Sequence, residues 1–261
     1  PPSIALVLLG DVMSNAYQRA QNNMGIFSQQ TVTVGDLFIG AIVPGIMICL
    51  GYLIYTIYQN FKNPDILFEP EANSASFKDI LKTLALPLLL IILVLGSILF
   101  GIATPTESAS LGALGAIIIS FAKNKLNFET LKRSCIETLK INAMVFFIII
   151  GASLFSLVFR GFGGDLIVEN FLTDIPGAKI NSLIIVMITI FILGFFLDFF
   201  QIVFVIVPIV GPSLISMGYD PIWLALMFAI NLQTSFLTPP FGFALFYLRG
   251  VAPKEIKTID I

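Results

Sequence analysis

An all-α polytopic membrane protein is the fold class this sequence predicts, on three observations. Apolar residues make up 57% of the 261-residue chain and charged residues 11%, with a mean hydropathy of +0.97. Soluble domains carry about 25% charged residues. Apolar runs recur at close to the ~20 residues that cross a bilayer. Polar, proline-interrupted segments lie inside such runs, not at their edges. In lipid every backbone N–H and C=O needs an internal partner, so such breaks are tolerated only beside protein or a water-filled cavity. The same composition sets aside other classes. A net charge of −2 argues against nucleic acid as a partner. The absence of His removes the commonest proton shuttle and metal ligand. Cys49 and Cys135 form no CxxC or disulfide pattern and read as plain thiols.

The elements follow in order. Residues 1–9 read as the end of a broken helix, with Ile4–Leu9 as half a span. Residues 10–36, including the polar stretch Ser14–Gln30, read as an external loop, and 37–58 as a membrane helix. Residues 59–83, broken by Pro64 and Pro70, form a cytoplasmic linker with a short amphipathic helix. That helix starts near Ser76, which can cap it, and carries Asp79 at its third helical position. Residues 84–253 read as one repeat. Leu84–Phe100 and Ser108–Ala122 flank the segment 101–107, and Ile141–Phe159 is a clean span. The run 182–213 is a hairpin interrupted near Asp198 and Gln201, and 222–248 is a helix broken by Pro239-Pro240. Residues 254–261 are a tail. With no initial Met or signal peptide, the chain reads as an internal fragment or a product truncated at both ends.

Orientation follows from the Lys/Arg bias of short loops. Lys123, Lys125, Lys132, Arg133 and Lys140 place one loop inside. One crossing per span then puts the 59–83 linker and the tail inside too. Eleven of the 14 basic residues fall on that side, leaving Arg19, Arg160 and Lys179 outside. The tally requires 182–213 to enter from outside and return there, as a re-entrant hairpin.

Three motifs carry possible chemistry. In Asn231-Leu-Gln-Thr-Ser-Phe-Leu-Thr-Pro-Pro-Phe-Gly242, two prolines remove donors and free carbonyls about one turn earlier. Gln233, Thr234, Ser235 and Thr238 add oxygens at the same depth. Interrupted helices with exposed carbonyls and half-helix termini hold small cations and anionic substrates in secondary transporters; the plainer alternative is a kink repaired by neighbouring helices. Asp198 is an ionisable group at membrane depth, costly there and a functional candidate, unless backbone donors at a hairpin tip satisfy it. Thr104-Pro105-Thr106-Glu107 is either a tight turn, with Thr106 capping the next helix and Glu107 at its N-terminus, or a lining of the ion path by Thr104 and Thr106. Finally, Pro1-Pro2-Ser3 echoes Pro239-Pro240. Each pair precedes half a span, and the two halves run in opposite directions, as two inverted-topology repeats require.

Gly101-Ile-Ala-Thr-Pro-Thr-Glu-Ser-Ala-Ser-Leu-Gly112, the Leu197-Asp198 segment ending at Pro208, Gly218-Tyr-Asp-Pro221 and the 231–242 motif closely resemble, in order and spacing, one family. It is the large membrane (M, DctM-type) subunit of tripartite ATP-independent periplasmic (TRAP) transporters. The resemblance covers essentially the whole chain, without the family's first half and last helix, and 14–30 is longer than the loop of most members. It implies an inverted-repeat, elevator-type permease of the bacterial inner membrane. Such a permease imports organic acids such as C4-dicarboxylates by sodium symport, with a small membrane subunit and a periplasmic substrate-binding protein as partners.

On this reading the chain is the second inverted repeat plus the tail of the first, is not an enzyme and needs no cofactor beyond coupling sodium ions. Sodium sits near Thr234, Ser235, Thr238 and the Pro239 backbone, with Asp198 a ligand or organiser, since hard cations favour oxygen donors. Gln201, Asn231, Gln233, Thr104, Thr106 and Ser3 complete the expected substrate- and ion-binding set. The carboxylate substrate meets half-helix N-termini and hydroxyls. The alternatives are a two-component sodium–dicarboxylate symporter of related architecture and, remotely, an intramembrane enzyme, for which a catalytic pair at membrane depth is lacking.

Overall fold

The computed structural model describes residues 4–27, 30–62 and 77–238. All regular structure among them is helical: α1 (Ile4–Asn23), α2 (Val34–Gly40), α3 (Ile42–Lys62), α4 (Phe77–Leu99), α5 (Pro105–Ala122), α6 (Phe128–Gly161), α7 (Gly164–Asp174), α8 (Ala178–Leu193), α9 (Phe199–Ser216) and α10 (Pro221–Leu237). Among the described residues four stretches are long and apolar enough to cross a membrane: Val34–Lys62, Pro105–Ala122, Phe128–Gly161 and Phe199–Ser216. Shorter apolar helices are Leu84–Leu99, Ala178–Leu193 and Pro221–Leu237. The chain divides into two compact units, residues 1–2 with 38–134 and residues 3–37 with 135–261.

In the first unit α4 and α5 form an antiparallel hairpin. It turns through Gly101, whose φ of 67° suits a residue without Cβ, while Ile102 N–H closes onto Ser97 O at 2.9 Å. A stripe of small residues on α5 lets the backbones approach, the usual basis of helix association in lipid. Ser108 is fully buried and shares a 2.7 Å hydrogen bond with Ser97 Oγ. A Cβ on Gly112 would come within 3.2 Å of Val94, and one on Gly115 would collide with Leu90. The outer faces of α3 to α5 remain apolar and exposed, for example Ile54, Ile92 and Phe121. A bilayer solvates such faces; water does not.

The second unit has the core. Leu9, Met13, Ala16 and Ala20 line one face of α1 at helical spacing and are buried. They pack on α9, where Gly211 comes so near that an added Cβ would lie 3.3 Å from the Ala16 methyl. Ile190 of α8, Leu214 of α9 and Leu224, Phe228 and Leu232 of α10 complete the core.

Three expectations are corrected. Residues 10–23 are helix, not loop. The sequence there is polar on average, but its Leu9-Met13-Ala16-Ala20 stripe buries one face. Gln21, 2% exposed, then takes Gln30 N–H on its Oε1 at 2.7 Å and donates to Gln30 O at 2.8 Å, folding the remaining loop back. Residues 128–140 of the basic loop are likewise helical. Asn127 Oδ1 caps α6 by accepting Thr130 N–H at 2.6 Å, and α6 runs 34 residues, roughly 50 Å. That exceeds a hydrocarbon core of ~30 Å, so its charged start, with Lys132, Arg133 and Lys140, stands beyond the apolar part. Finally, the short helix expected before 84 and the span after it are one helix, α4. Pro1, Pro2, Ser3, most of the 59–83 linker including Ser76, the second half of the broken helix from Pro239 and the tail lie outside the described residues.

Candidate functional site

The hairpin expected at 182–213 is formed by α8 and α9, joined through Gly194–Asp198. Asp198 caps α9. Its carboxylate accepts Phe199 N–H at 2.8 Å, and its own N–H donates to Gln201 Oε1 at 3.2 Å. This is a reciprocal capping box read from Asp-Phe-Phe-Gln. The Asp198 carboxylate is therefore engaged by a backbone donor at the tip, half-buried, at the N-terminus of a helix. The next turn, Ile202–Ile206, is a π-turn in which Val207 N–H reaches back to Ile202 O. Pro208 follows, without a donor. Such turns widen a helix and are frequent at functional sites.

The two ends of the hairpin are tied together. Tyr219 O–H donates to Lys179 O at 2.7 Å, and Lys179 Nζ donates to Gly218 O at 3.3 Å. Asp220 then caps α10 by accepting Trp223 N–H at 2.8 Å, with Pro221 at the first helical position, where its missing N–H costs nothing.

Helix α10 lies against α8. Asn231 Nδ2 donates to Met187 O at 2.7 Å. One turn on, Ser235, fully buried, seats on Gly194. A Cβ at Gly194 would lie 2.9 Å from Ser235 Cβ and closer still to its Oγ, so only glycine fits four residues before Asp198. Ser235 Oγ donates to Leu232 O (2.9 Å), Thr234 Oγ1 to Ile230 O (2.8 Å) and Thr238 Oγ1 to Thr234 O (2.8 Å). Each hydroxyl thus spends its proton on its own helix and keeps oxygen lone pairs for an acceptor role. The helix ends at Thr238, whose backbone is extended (φ −95°, ψ 129°). Gln233 points to an exposed face.

Asn231 and Ser235 therefore dock on the hairpin arm, and Asp198 and Gln201 meet at its tip. Thr104 and Thr106 belong to the other unit, and there the expected cap moves by two residues. Thr104, not Thr106, caps α5. Its N–H and O–H both donate to Glu107 Oε2 at 2.8 Å, and Glu107 N–H returns to its hydroxyl. Pro105 makes the shift, because its fixed φ and missing N–H place it at the first helical position. Ser3 and Pro239 lie outside the described residues. Among those described, no cluster of three His, Cys, Asp or Glu gathers in a metal-binding group. The docking residues Gly194 and Met187 were not among the expected site. A glycine inside an apolar run just before an acidic residue is the signal for the first; a main-chain carbonyl leaves none.

A capped hairpin docked on a helix that ends before a proline pair, among helices with apolar outer faces, defines a polytopic helical membrane protein. The chain belongs to the family described as tripartite ATP-independent periplasmic transporter, DctM component, which it matches over residues 1–261. Its family is one of transporter components, and the relatives carry permease names and not enzyme names. It is 28% identical to the C4-dicarboxylate TRAP transporter large permease protein DctM of Rhodobacter capsulatus, over 100% of this chain and 59% of that protein. The isethionate TRAP transporter permease protein DctMQ of Oleidesulfovibrio alaskensis is 29% identical, over 87% of this chain and 36% of its own length. The sialic acid large permease protein SiaM of Vibrio cholerae is 26% identical, over 99% and 57%. The chain thus spans at most about three fifths of these relatives.

Proposed function

We propose that this chain is the second-repeat portion of a membrane-embedded permease that imports an organic acid by sodium symport through an elevator movement in the bacterial inner membrane. A periplasmic substrate-binding protein delivers the acid, and a small membrane subunit braces the permease. The observation that carries the reading is the docking of α10 on the α8 arm through Asn231–Met187 and Ser235–Gly194. It couples the end of α10 to the hairpin whose tip Asp198 caps, so the two can move as one block. The C-terminal carbonyls of α10 carry the negative end of its dipole and favour a cation. The free lone pairs of Thr234, Ser235 and Thr238 add hard oxygen donors, with Asp198 as a ligand or organiser for sodium. Gln201, Asn231 and Gln233, with Ser3 and Pro239, complete the proposed substrate- and ion-binding set of this unit.

The relatives' names support the substrate class of this reading. C4-dicarboxylates, sialic acid and isethionate differ in size but share an acidic group. The proposed substrate is accordingly a small organic acid, most simply a carboxylate. The test is uptake of a radiolabelled acid into proteoliposomes with a binding protein outside and an imposed sodium gradient. Accumulation should follow the inward sodium gradient and collapse when sodium is equal on both sides. Uptake that ignores the gradient would refute symport.

A further inference from the structure

Two cavities in the second unit, of about 310 and 260 Å³, share Arg19, Arg160 and Pro208 as walls. The first adds the hydroxyl-bearing Ser153 and Ser156 and an apolar side formed by Ile149, Leu157 and Phe204. No carboxylate lines it. The second adds Asp165 and Glu169. Arg160 is held by a 2.6 Å hydrogen bond from Nη2 to Ser156 Oγ. Among the described residues the only ion pair within 4.0 Å is Lys140–Glu137, so neither guanidinium is closed by a carboxylate. The second cavity is therefore lined by two arginines and two carboxylates, with no ion pair closed among them within 4.0 Å.

From this arrangement we infer a binding site for a phosphoethanolamine-type lipid headgroup, its phosphate on Arg19 and Arg160 and its ammonium on Asp165 and Glu169. Paired guanidinium groups are the preferred partners of phosphate oxygens, through planar two-point hydrogen bonds. A primary ammonium beside the phosphate matches the second cavity, where Asp165 and Glu169 would receive it. The location favours a lipid over a soluble ester. Arg160 ends the apolar run of α6, at the level where hydrocarbon gives way to headgroups, and charged side chains at helix ends reach for that layer. Ile149 and Leu157, one to three turns earlier on the same helix, line the first cavity, Ile149 half-buried and Leu157 exposed, a path for an acyl chain. The bound lipid would bridge α1, α6, α7 and α9, beside the π-turn that follows the Asp198 cap.

The test uses the delipidated protein in detergent and native mass spectrometry with palmitoyl-oleoyl phosphatidylethanolamine, phosphatidylglycerol and phosphatidylcholine. The unmodified protein should hold the ethanolamine lipid about tenfold more tightly than the other two. Phosphatidylglycerol lacks the ammonium, and the choline ammonium has no N–H to donate. The pair Arg19→Gln and Arg160→Gln should weaken all three lipids by roughly tenfold or more. The pair Asp165→Asn and Glu169→Gln should remove the preference for ethanolamine over both glycerol and choline while leaving binding of the phosphate in place. Equal retention of the three lipids by the unmodified protein would overturn the site without recourse to any variant. Unchanged binding in a folded arginine variant would do the same. Displacement of the lipid by an equal concentration of glycerophosphoethanolamine would overturn the bilayer as the source. None of these readouts needs uptake, so the site and the transport reading fail separately.

Discussion

Replacing Gly194 by Ala puts one methyl group into the seat of Ser235. The new Cβ would stand 2.9 Å from Ser235 Cβ, where ordinary contact begins at 3.4 Å, so the α8 and α10 backbones must part by at least about 0.5 Å. Rotating Ser235 offers no escape. Its Oγ is anchored to Leu232 O at 2.9 Å, and its Cβ does not move with χ1. Overpacking of this kind costs about 1–3 kcal/mol. Parting the helices also stretches the 2.7 Å bond from Asn231 to Met187 O, worth about 1 kcal/mol. The expected loss is therefore about 2–4 kcal/mol, concentrated at the contact between hairpin and broken helix. Ser235→Gly by itself should cost about 1 kcal/mol as a glycine in a helix. In the double variant it removes both colliding atoms, and stability should largely return. The assay is a double-mutant cycle of thermal unfolding in nanodiscs, followed through Trp223, the single tryptophan, which sits on α10. Sodium-driven uptake is measured in parallel. The cycle should show about 1–3 kcal/mol of favourable coupling in stability, while sodium-driven uptake should stay impaired, because Ser235→Gly also removes a proposed sodium donor. Additive effects would show that Gly194 and Ser235 do not press on each other, and the docking argument would go with them.

Asp198→Asn keeps a capping oxygen for Phe199 N–H, and Asn caps as well as Asp, so stability should change by less than about 0.5 kcal/mol. If the charge serves the cation, sodium dependence should weaken roughly ten- to hundredfold; an unchanged sodium titration would leave Asp198 as a cap alone. Thr104→Val breaks the reciprocal bonds with Glu107 and should destabilise by about 0.5–2 kcal/mol, while Thr104→Ser should not. A sodium titration shifted by Thr104→Ser as well would instead put the methyl-bearing side chain in the ion path. Gln21→Ala strands the Gln30 backbone groups and should cost about 1–3 kcal/mol in thermal unfolding. In a background lacking the exposed Cys49 and Cys135, single cysteines at 24–27 and 175–177 should react with an external membrane-impermeant maleimide. Those at 123–127 and 254–257 should not. External labelling at 254–257 would overturn the re-entrant hairpin.

Local chemistry is what the sequence by itself determined. Hydropathy marked a membrane protein because a bilayer tests each residue's transfer free energy, and composition reports that directly. The hairpin break was legible because Asp198 and Gln201 sit three apart inside an apolar run, and that spacing is itself the capping box. Glu107 was correctly read as belonging to the start of α5; Pro105 decided that Thr104 and not Thr106 receives it. Where average polarity was used instead of period, as at 14–23, the helix was missed, since one buried stripe suffices to hold a polar helix in place.

Tertiary structure alone decided the rest. Gly194 and Ser235 are 41 positions apart, and Asn231 and Met187 are 44 apart. Their meeting depends on how α10 crosses α8, which no local pattern encodes. The burial of Gln21 required a loop to return to it. Arg19 and Arg160 share a cavity only because α1 and α6 both reach the same end of the second unit. Period and propensity act over a turn or two of helix, whereas a crossing is set by the summed packing of whole faces, and only the folded chain performs that sum.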